Sequence, residues 1–341
     1  MINPVYIIAE AGVNHNGRLD LALQLCDAAK VAGVDAVKFQ TWKTEKIVTH
    51  AAELALYQEN NISDKSKSQY QMLKELELSY DTFKVVKKHC DKIGIQFLST
   101  PDEIDSLDFL YSLGLPFIKL GSGDVTNIPF LRLVGSKHVD VLLSTGMSYL
   151  SDVDLAYHTL LEAGAASVTL LHCTTNYPCP MEEVNLRAMQ TLRDAFKCKV
   201  GYSDHTMGLE VSIAAVAMGA EIIEKHFTLD KEMDGPDHKA SLNPDELAQL
   251  VKSIRNLECA LGNGLKQPNE SEKVISEVVL KRLVASVPIH KGDILSAANM
   301  TVKRSSDGAK ASLWDLVVGR MATKNYEIDE PIICLLYTSD A

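Results

Sequence analysis

Long apolar runs are absent from this sequence. The longest uncharged stretch of helical character, 211–220, lies between Glu210 and Glu221. That is far short of the roughly 18–20 residues a membrane span requires. The first ten residues carry no basic segment and reach a carboxylate at Glu10, so no secretory signal is expected. Cysteine is sparse: seven residues, an odd number, with no Cys-x-x-Cys pair. This predicts reduced thiols in a cytoplasmic protein, not a disulfide framework. Basic residues are outnumbered 34 to 45, giving a net charge of −11. The chain therefore lacks the positive field of a nucleic-acid or anionic-membrane binder, and neither partner is expected. A locally basic pocket on an acidic protein remains compatible with that total. Finally, no Gly-x-Gly-x-x-Gly follows the first apolar run, which disfavours a dinucleotide-binding open sheet.

Short runs rich in Val, Ile and Leu are present, and they alternate with longer amphipathic stretches. Strand candidates are 5–9, 36–39, 95–98, 117–120, 141–143, 168–171, 199–202 and 221–224. Helical patterns lie between them, several with capping residues in front and glycine behind, as with Ser79 and Gly94. Runs apolar on both faces mark buried parallel strands. Eight such strands, each followed by a helix, predict an α/β fold of the (β/α)₈ TIM-barrel type over 1–264. A polar stretch with Pro268 predicts a linker over 265–280. Short β-like runs with turns then predict a small β domain over 281–333, of a size marginal as an independent core. Residues 334–341 fit neither pattern and read as a tail of separate origin.

Barrel enzymes build their sites at the C-terminal ends of the strands. Here those ends carry Glu10, Lys38 with Gln40, Thr100, Lys119 with Ser122 and Asp124, Ser144, Tyr177, Ser203 with His205, and His226. The loop after the last strand adds Asp237 and His238. A lone Ser or Thr at a strand end is more often a helix cap, and a lone His more often a structural hydrogen-bond partner. Eight consecutive ends carrying Lys, His and Glu together are better explained by a pocket. Two ammonium groups at one mouth require an anion, and hydroxyls with glycine-flanked backbone N–H groups suit phosphate. His205 and His226 end adjacent strands, where two imidazoles either hydrogen-bond within a core or hold a catalytic divalent metal. Glu10 reads as a substrate ligand, a general base or a lysine partner. His15, His172 and His238 stay open between structure and function.

These segments resemble the sialic acid synthase (N-acetylneuraminate synthase) family, which includes legionaminic acid synthases. The resemblance runs through Ile8–Gly17, Val37-Lys38-Phe39-Gln40-Thr41, Ser99-Thr100-Pro101, Lys119-Leu120-Gly121-Ser122-Gly123, and Leu143-Ser144-Thr145-Gly146-Met147. It continues through His172–Pro178, Gly201–Thr206, Glu224–Thr228 and Gly235–Leu242. It implies a barrel followed by an antifreeze-like (SAF, β-clip) domain in a domain-swapped homodimer. It also implies metal-dependent condensation of phosphoenolpyruvate with an N-acylated mannosamine-type sugar and water. The products are a nine-carbon 2-keto sugar acid and phosphate, released by C–O cleavage. By the same resemblance Lys38, Thr100, Lys119, Ser122, Ser144 and Ser203 bind phosphoenolpyruvate, and His205 and His226 hold Mn²⁺ or Mg²⁺. Gln40, Tyr177, Asp237 and, from the partner subunit's small domain, the position of Arg304 meet the acceptor sugar. Glu10, Asp124 and His205 are the catalytic candidates. N-acetylmannosamine is the expected acceptor. The alternative is a 2,4-diacetamido-trideoxy hexose, as in legionaminic or pseudaminic acid synthesis. More distant readings are a Schiff-base pyruvate aldolase using Lys119 and a non-catalytic sugar-binding protein. Two departures from the family stand out: Asp124 replaces a glutamate, and Ser305-Ser306 follows Arg304 where the family often has proline.

Overall fold

The computed structural model describes residues 4–333. The expectation for 334–341 therefore lies outside the described residues. The chain divides into two compact units, Met1–Gly262 and Asn263–Ala341.

The first unit contains eight strands: β1 (Tyr6–Gly12), β2 (Ala36–Thr41), β3 (Gln96–Pro101), β4 (Phe117–Leu120), β5 (Asp140–Ser144), β6 (Ser167–Cys173), β7 (Val200–Asp204) and β8 (Ile222–His226). They form one sheet in the order β3-β2-β1-β8-β7-β6-β5-β4, with every described pairing parallel. The two ends of that order, β3 and β4, pack against each other and close the barrel. Helices follow the strands, and their apolar faces join the outward strand residues in one continuous core. Leu25, Phe83, Leu107, Leu131, Leu160 and Leu250 are among its fully covered side chains. Inside the barrel, Ile8, Ala36, Leu98, Leu142 and Leu171 form a separate apolar floor.

Strand periodicity places the site on that floor. Side chains two apart share a face, so each inward series climbs from apolar to polar. Ile8 leads to Glu10, Ala36 to Lys38 and Gln40, and Leu98 to Thr100. Likewise Leu142 leads to Ser144, Leu171 to Cys173, and Ile222 to Glu224 and His226. The outward residues between them pack on helices, with Asp204 and Lys225 as the charged exception. These two are neighbours in register on β7 and β8, wholly buried, and ion-paired at 2.9 Å.

The second unit holds the antiparallel pair β9 (Lys281–Ala285) and β10 (Met300–Arg304), with isolated bridges at 289–326 and 294–321. Its own core gathers Leu283, Ile289, Leu295, Met300 and Tyr326. The polar segment read as a linker contains a helix, Glu270–Val279. Asn269 caps it by accepting the Glu272 N–H, and Glu272 caps back. No helix among the described residues is long and apolar enough to cross a membrane.

Candidate active site

A cavity of about 150 Å³ opens at the C-terminal ends of the strands. Glu10, Lys38, Gln40, Thr100, Lys119, Ser122, Ser144, Tyr177, Ser203, His205 and His226 all line it. A larger cavity, about 710 Å³, lies at the opposite end among strand starts such as Tyr6, Phe117 and Asp140. Of these two cavities the smaller is the candidate site, because it gathers convergent lysines, carboxylates and imidazoles at the catalytic face of a barrel.

Parallel register builds its centre. Glu10 sits opposite Lys38 on one side and opposite His226 on the other. Lys38 Nζ lies 2.6 Å from Glu10 Oε2 and donates to Thr100 Oγ1 at 3.0 Å. Gln40 Nε2 donates to the other Glu10 oxygen at 3.0 Å. Glu224 stands between the two lysines, its carboxylate 3.4 Å from Lys119 and 3.7 Å from Lys38, and it accepts from Ser203 Oγ at 2.9 Å. Ser122 Oγ accepts the Gly146 N–H at 2.9 Å. A side chain at Gly146 would place its Cβ 2.3 Å from Thr175 Oγ1, so glycine alone permits this close approach. The buried Ser144 hydroxyl has no protein partner among the described residues, as expected of a group facing a ligand.

Burial pushes the Glu10 carboxyl up to about 7, with Lys38 opposing and Glu224 adding to the rise. Burial acts on Glu224 in the same sense, but Lys119 and Lys38 overcome it and pull that carboxyl down. One carboxylate thus stays ionised between two lysines while its neighbour titrates near neutrality. Two residues separated by environment in this way suit acid–base work.

The imidazoles of His205 and His226 lie with ring centres 5.2 Å apart, and the Tyr177 ring covers His205 at 4.1 Å. His205 Nδ1 donates to the Thr174 carbonyl at 2.7 Å. That bond fixes the tautomer and leaves Nε2 as the unprotonated donor, which is how metal-binding histidines are oriented. His226 Nδ1 is buried without a hydrogen-bond partner and lies 3.7 Å from Asp237 Oδ2. Burial holds Asp237 up, to about 6. Among the described residues no cluster of three or more His, Cys, Asp or Glu is arranged to hold a metal. The candidate donor set is therefore the two imidazoles of His205 and His226, which would suit an ion that keeps positions open for small ligands.

Three nominated residues stand apart from the cavity wall. Asp237 is buried beside His226, and its Oδ2 lies over Gly12 together with the Glu10 and Gln40 side chains. Asp124 sits in the turn after β4, its carboxylate accepting from Asn127 Nδ2 at 3.0 Å, and it does not line the cavity. Arg304 ends β10 in the second unit and is exposed. The three histidines left open have structural partners. His15 Nδ1 accepts the Gly17 N–H, His172 Nε2 donates to the Val184 carbonyl, and His238 bonds Thr228 and Asn16. Asp102, Cys173 and Glu224 line the cavity without having been assigned a role from sequence. Continuing the period-2 series one step past Thr100 would have found Asp102.

A closed parallel barrel with paired lysines and two imidazoles at its catalytic mouth, followed by a small β unit, defines an enzyme of the sugar-acid synthase type. The chain belongs to the NeuB family, whose model matches residues 25–266, and an SAF domain matches residues 282–332. It is 48% identical to an N,N'-diacetyllegionaminic acid synthase of Campylobacter jejuni, covering 96% of this chain and 98% of that protein. A protein of the same description from Legionella pneumophila is 45% identical, over 94% and 91%. A crystal structure of N-acetylneuraminic acid synthetase from Leptospira borgpetersenii, in complex with citrate, aligns with a TM-score of 0.70 at 35% identity. It covers 81% of this chain and 91% of that one.

Proposed function

We propose that this enzyme condenses phosphoenolpyruvate with a 2,4-diacetamido-trideoxy hexose and water to give N,N'-diacetyllegionaminic acid and phosphate. The reaction class rests on one observation above all: Lys38 and Lys119, on separate strands, share the buried Glu224 in a cavity rimmed by Thr100, Ser122, Ser144 and Ser203. Such an array holds a phosphorylated anion by position and charge. The acceptor follows from likeness. The expectation of N-acetylmannosamine gives way, because the relatives at 48% and 45% identity are legionaminic acid synthases and the sialic acid synthetase stands at 35%.

In this reading Glu10, Gln40, Tyr177 and Asp237 orient the open-chain acceptor above the phosphoenolpyruvate. Glu10, titrating near 7, takes or gives a proton at the acceptor oxygens. His205 and His226 would hold Mn²⁺ or Mg²⁺, which would supply Lewis acidity toward a carbonyl. Arg304 of the second unit contacts the N-acyl group of the acceptor in the other subunit of a homodimer. Phosphate release assayed over a panel of acceptor hexoses, with and without Mn²⁺, tests the assignment. The 2,4-diacetamido sugar should give the highest kcat/KM, and a higher value with N-acetylmannosamine would reverse the choice. With isotopically heavy water, label should enter the keto acid; label confined to phosphate would refute C–O cleavage.

A further inference from the structure

We propose that Asp102 is a catalytic residue, its carboxyl relaying a proton between the two oxygens on the carbon that loses phosphate. The proposal rests on the synthase reading above. Asp102 lies one residue beyond β3, on the inward side of the series Leu98, Thr100, Asp102. Its backbone N–H donates to the Thr41 carbonyl at 3.1 Å, which continues the β2–β3 register to this position. Its side chain lines the cavity with Lys38, Thr100 and Lys119. Among the described residues its carboxyl makes no hydrogen bond or ion pair. Asp124, the carboxylate nominated by resemblance, stands where many members of the family have glutamate and is tied to Asn127 outside the wall. The carboxyl that the cavity presents on this side belongs to Asp102.

The charged groups facing it are Asp124 from the turn after β4, Lys38 from β2, Glu10 from β1 and Lys119 from β4. Burial and then the Asp124 charge push Asp102 up to about 8, against the pull of the lysines. Near neutral pH it therefore carries a proton, as a donor to a departing phosphate must.

The step balances within the pair of groups. In the tetrahedral adduct, C2 bears a hydroxyl and the phosphate ester oxygen. The C2–O bond to phosphate breaks, its electron pair stays on that oxygen, and the Asp102 proton moves to it. The hydroxyl proton passes to the other Asp102 oxygen as the C2 carbonyl closes. Asp102 ends protonated, ready for the next cycle, and no co-reactant is consumed.

The test measures kcat against pH by phosphate release, with infrared titration of carboxyl protonation in the ligand-free protein. The intact enzyme should lose activity as pH rises through about 8. A protonated-carboxyl band should vanish over the same range. Asp102→Asn should lower kcat by about 100-fold or more, with the KM for phosphoenolpyruvate little changed, and should lack the limb and the band component near pH 8, leaving only the Glu10 titration near 7. Asp102→Ser provides the same comparison if the amide variant does not fold. Asp124→Asn should move the limb to lower pH, since removing a neighbouring negative charge eases ionisation of Asp102. Near-normal kcat in Asp102→Asn, or a limb near pH 8 that survives in it, overturns the relay and leaves the synthase reading standing. An intact enzyme that releases no phosphate with any acceptor overturns that reading and the relay with it.

Discussion

At the scale of single residues, the site holds carboxyls whose ionisation is displaced in opposite directions, and this has a cost in stability as well as a use. Asp102 is raised from 3.8 to about 8 in the folded chain, so the folded state keeps a proton that the unfolded state releases. The associated stability is complete below about pH 4 and is lost as pH rises toward 8. Asp102→Asn removes that dependence. Its Tm relative to the parent should therefore climb between those limits and level off above them, in thermal melts across a pH series. A pH-independent difference would contradict the displaced titration. His205 makes a separate prediction. His205→Ala should lose Mn²⁺ binding, read by electron paramagnetic resonance of the free ion, with an unchanged circular dichroism spectrum. Retained binding would remove His205 from the donor set.

At the scale of elements, the Asp204–Lys225 pair straps β7 to β8 behind the wall that carries His205 and His226. Asp204 also accepts from the Thr206 N–H and hydroxyl and from Ser212, while Lys225 donates to the Thr206 carbonyl at 2.6 Å. Lys225→Met would leave the buried carboxylate without a countercharge. It should cost about 3–5 kcal/mol in urea unfolding. A loss below 1 kcal/mol would show that the strap contributes little. The strands and their alternation with helices were legible in sequence, because parallel strands buried on both faces read as plain apolar runs. Their ends are less legible: the apolar run ends at 9 in β1 and at 98 in β3, although the strands run on to Gly12 and Pro101. The helix Glu270–Val279 was hidden by its polar composition, although the Asn269…Glu272 capping pair announces it. The placement of Asp124 is not legible in sequence, because a motif gives position along the chain, whereas cavity exposure depends on how the turn after β4 closes onto Asn127.

At the scale of the whole molecule, the two units have separate cores, and the second carries the arginine proposed to complete a neighbouring subunit's site. Complementation tests that arrangement. Lys119→Ala and Arg304→Ala should each be severely impaired alone. Subunits of the two, dissociated and reassociated together, should regain activity, because a mixed dimer forms one site with both residues intact. No recovery, with mixed dimers demonstrated by mass spectrometry, would place Arg304 in its own subunit's chemistry or outside it.

Glu224 seated between Lys38 and Lys119 makes ligand capture an exchange instead of an addition. The interior cations arrive already neutralised, so an incoming anion must outcompete a tethered carboxylate for the same two ammonium groups. Chloride, with one charge and no geometry, is expected to compete poorly for them, and a phosphate ester, spreading two charges over three oxygens, to compete well. The resident glutamate would then select ligands by valence.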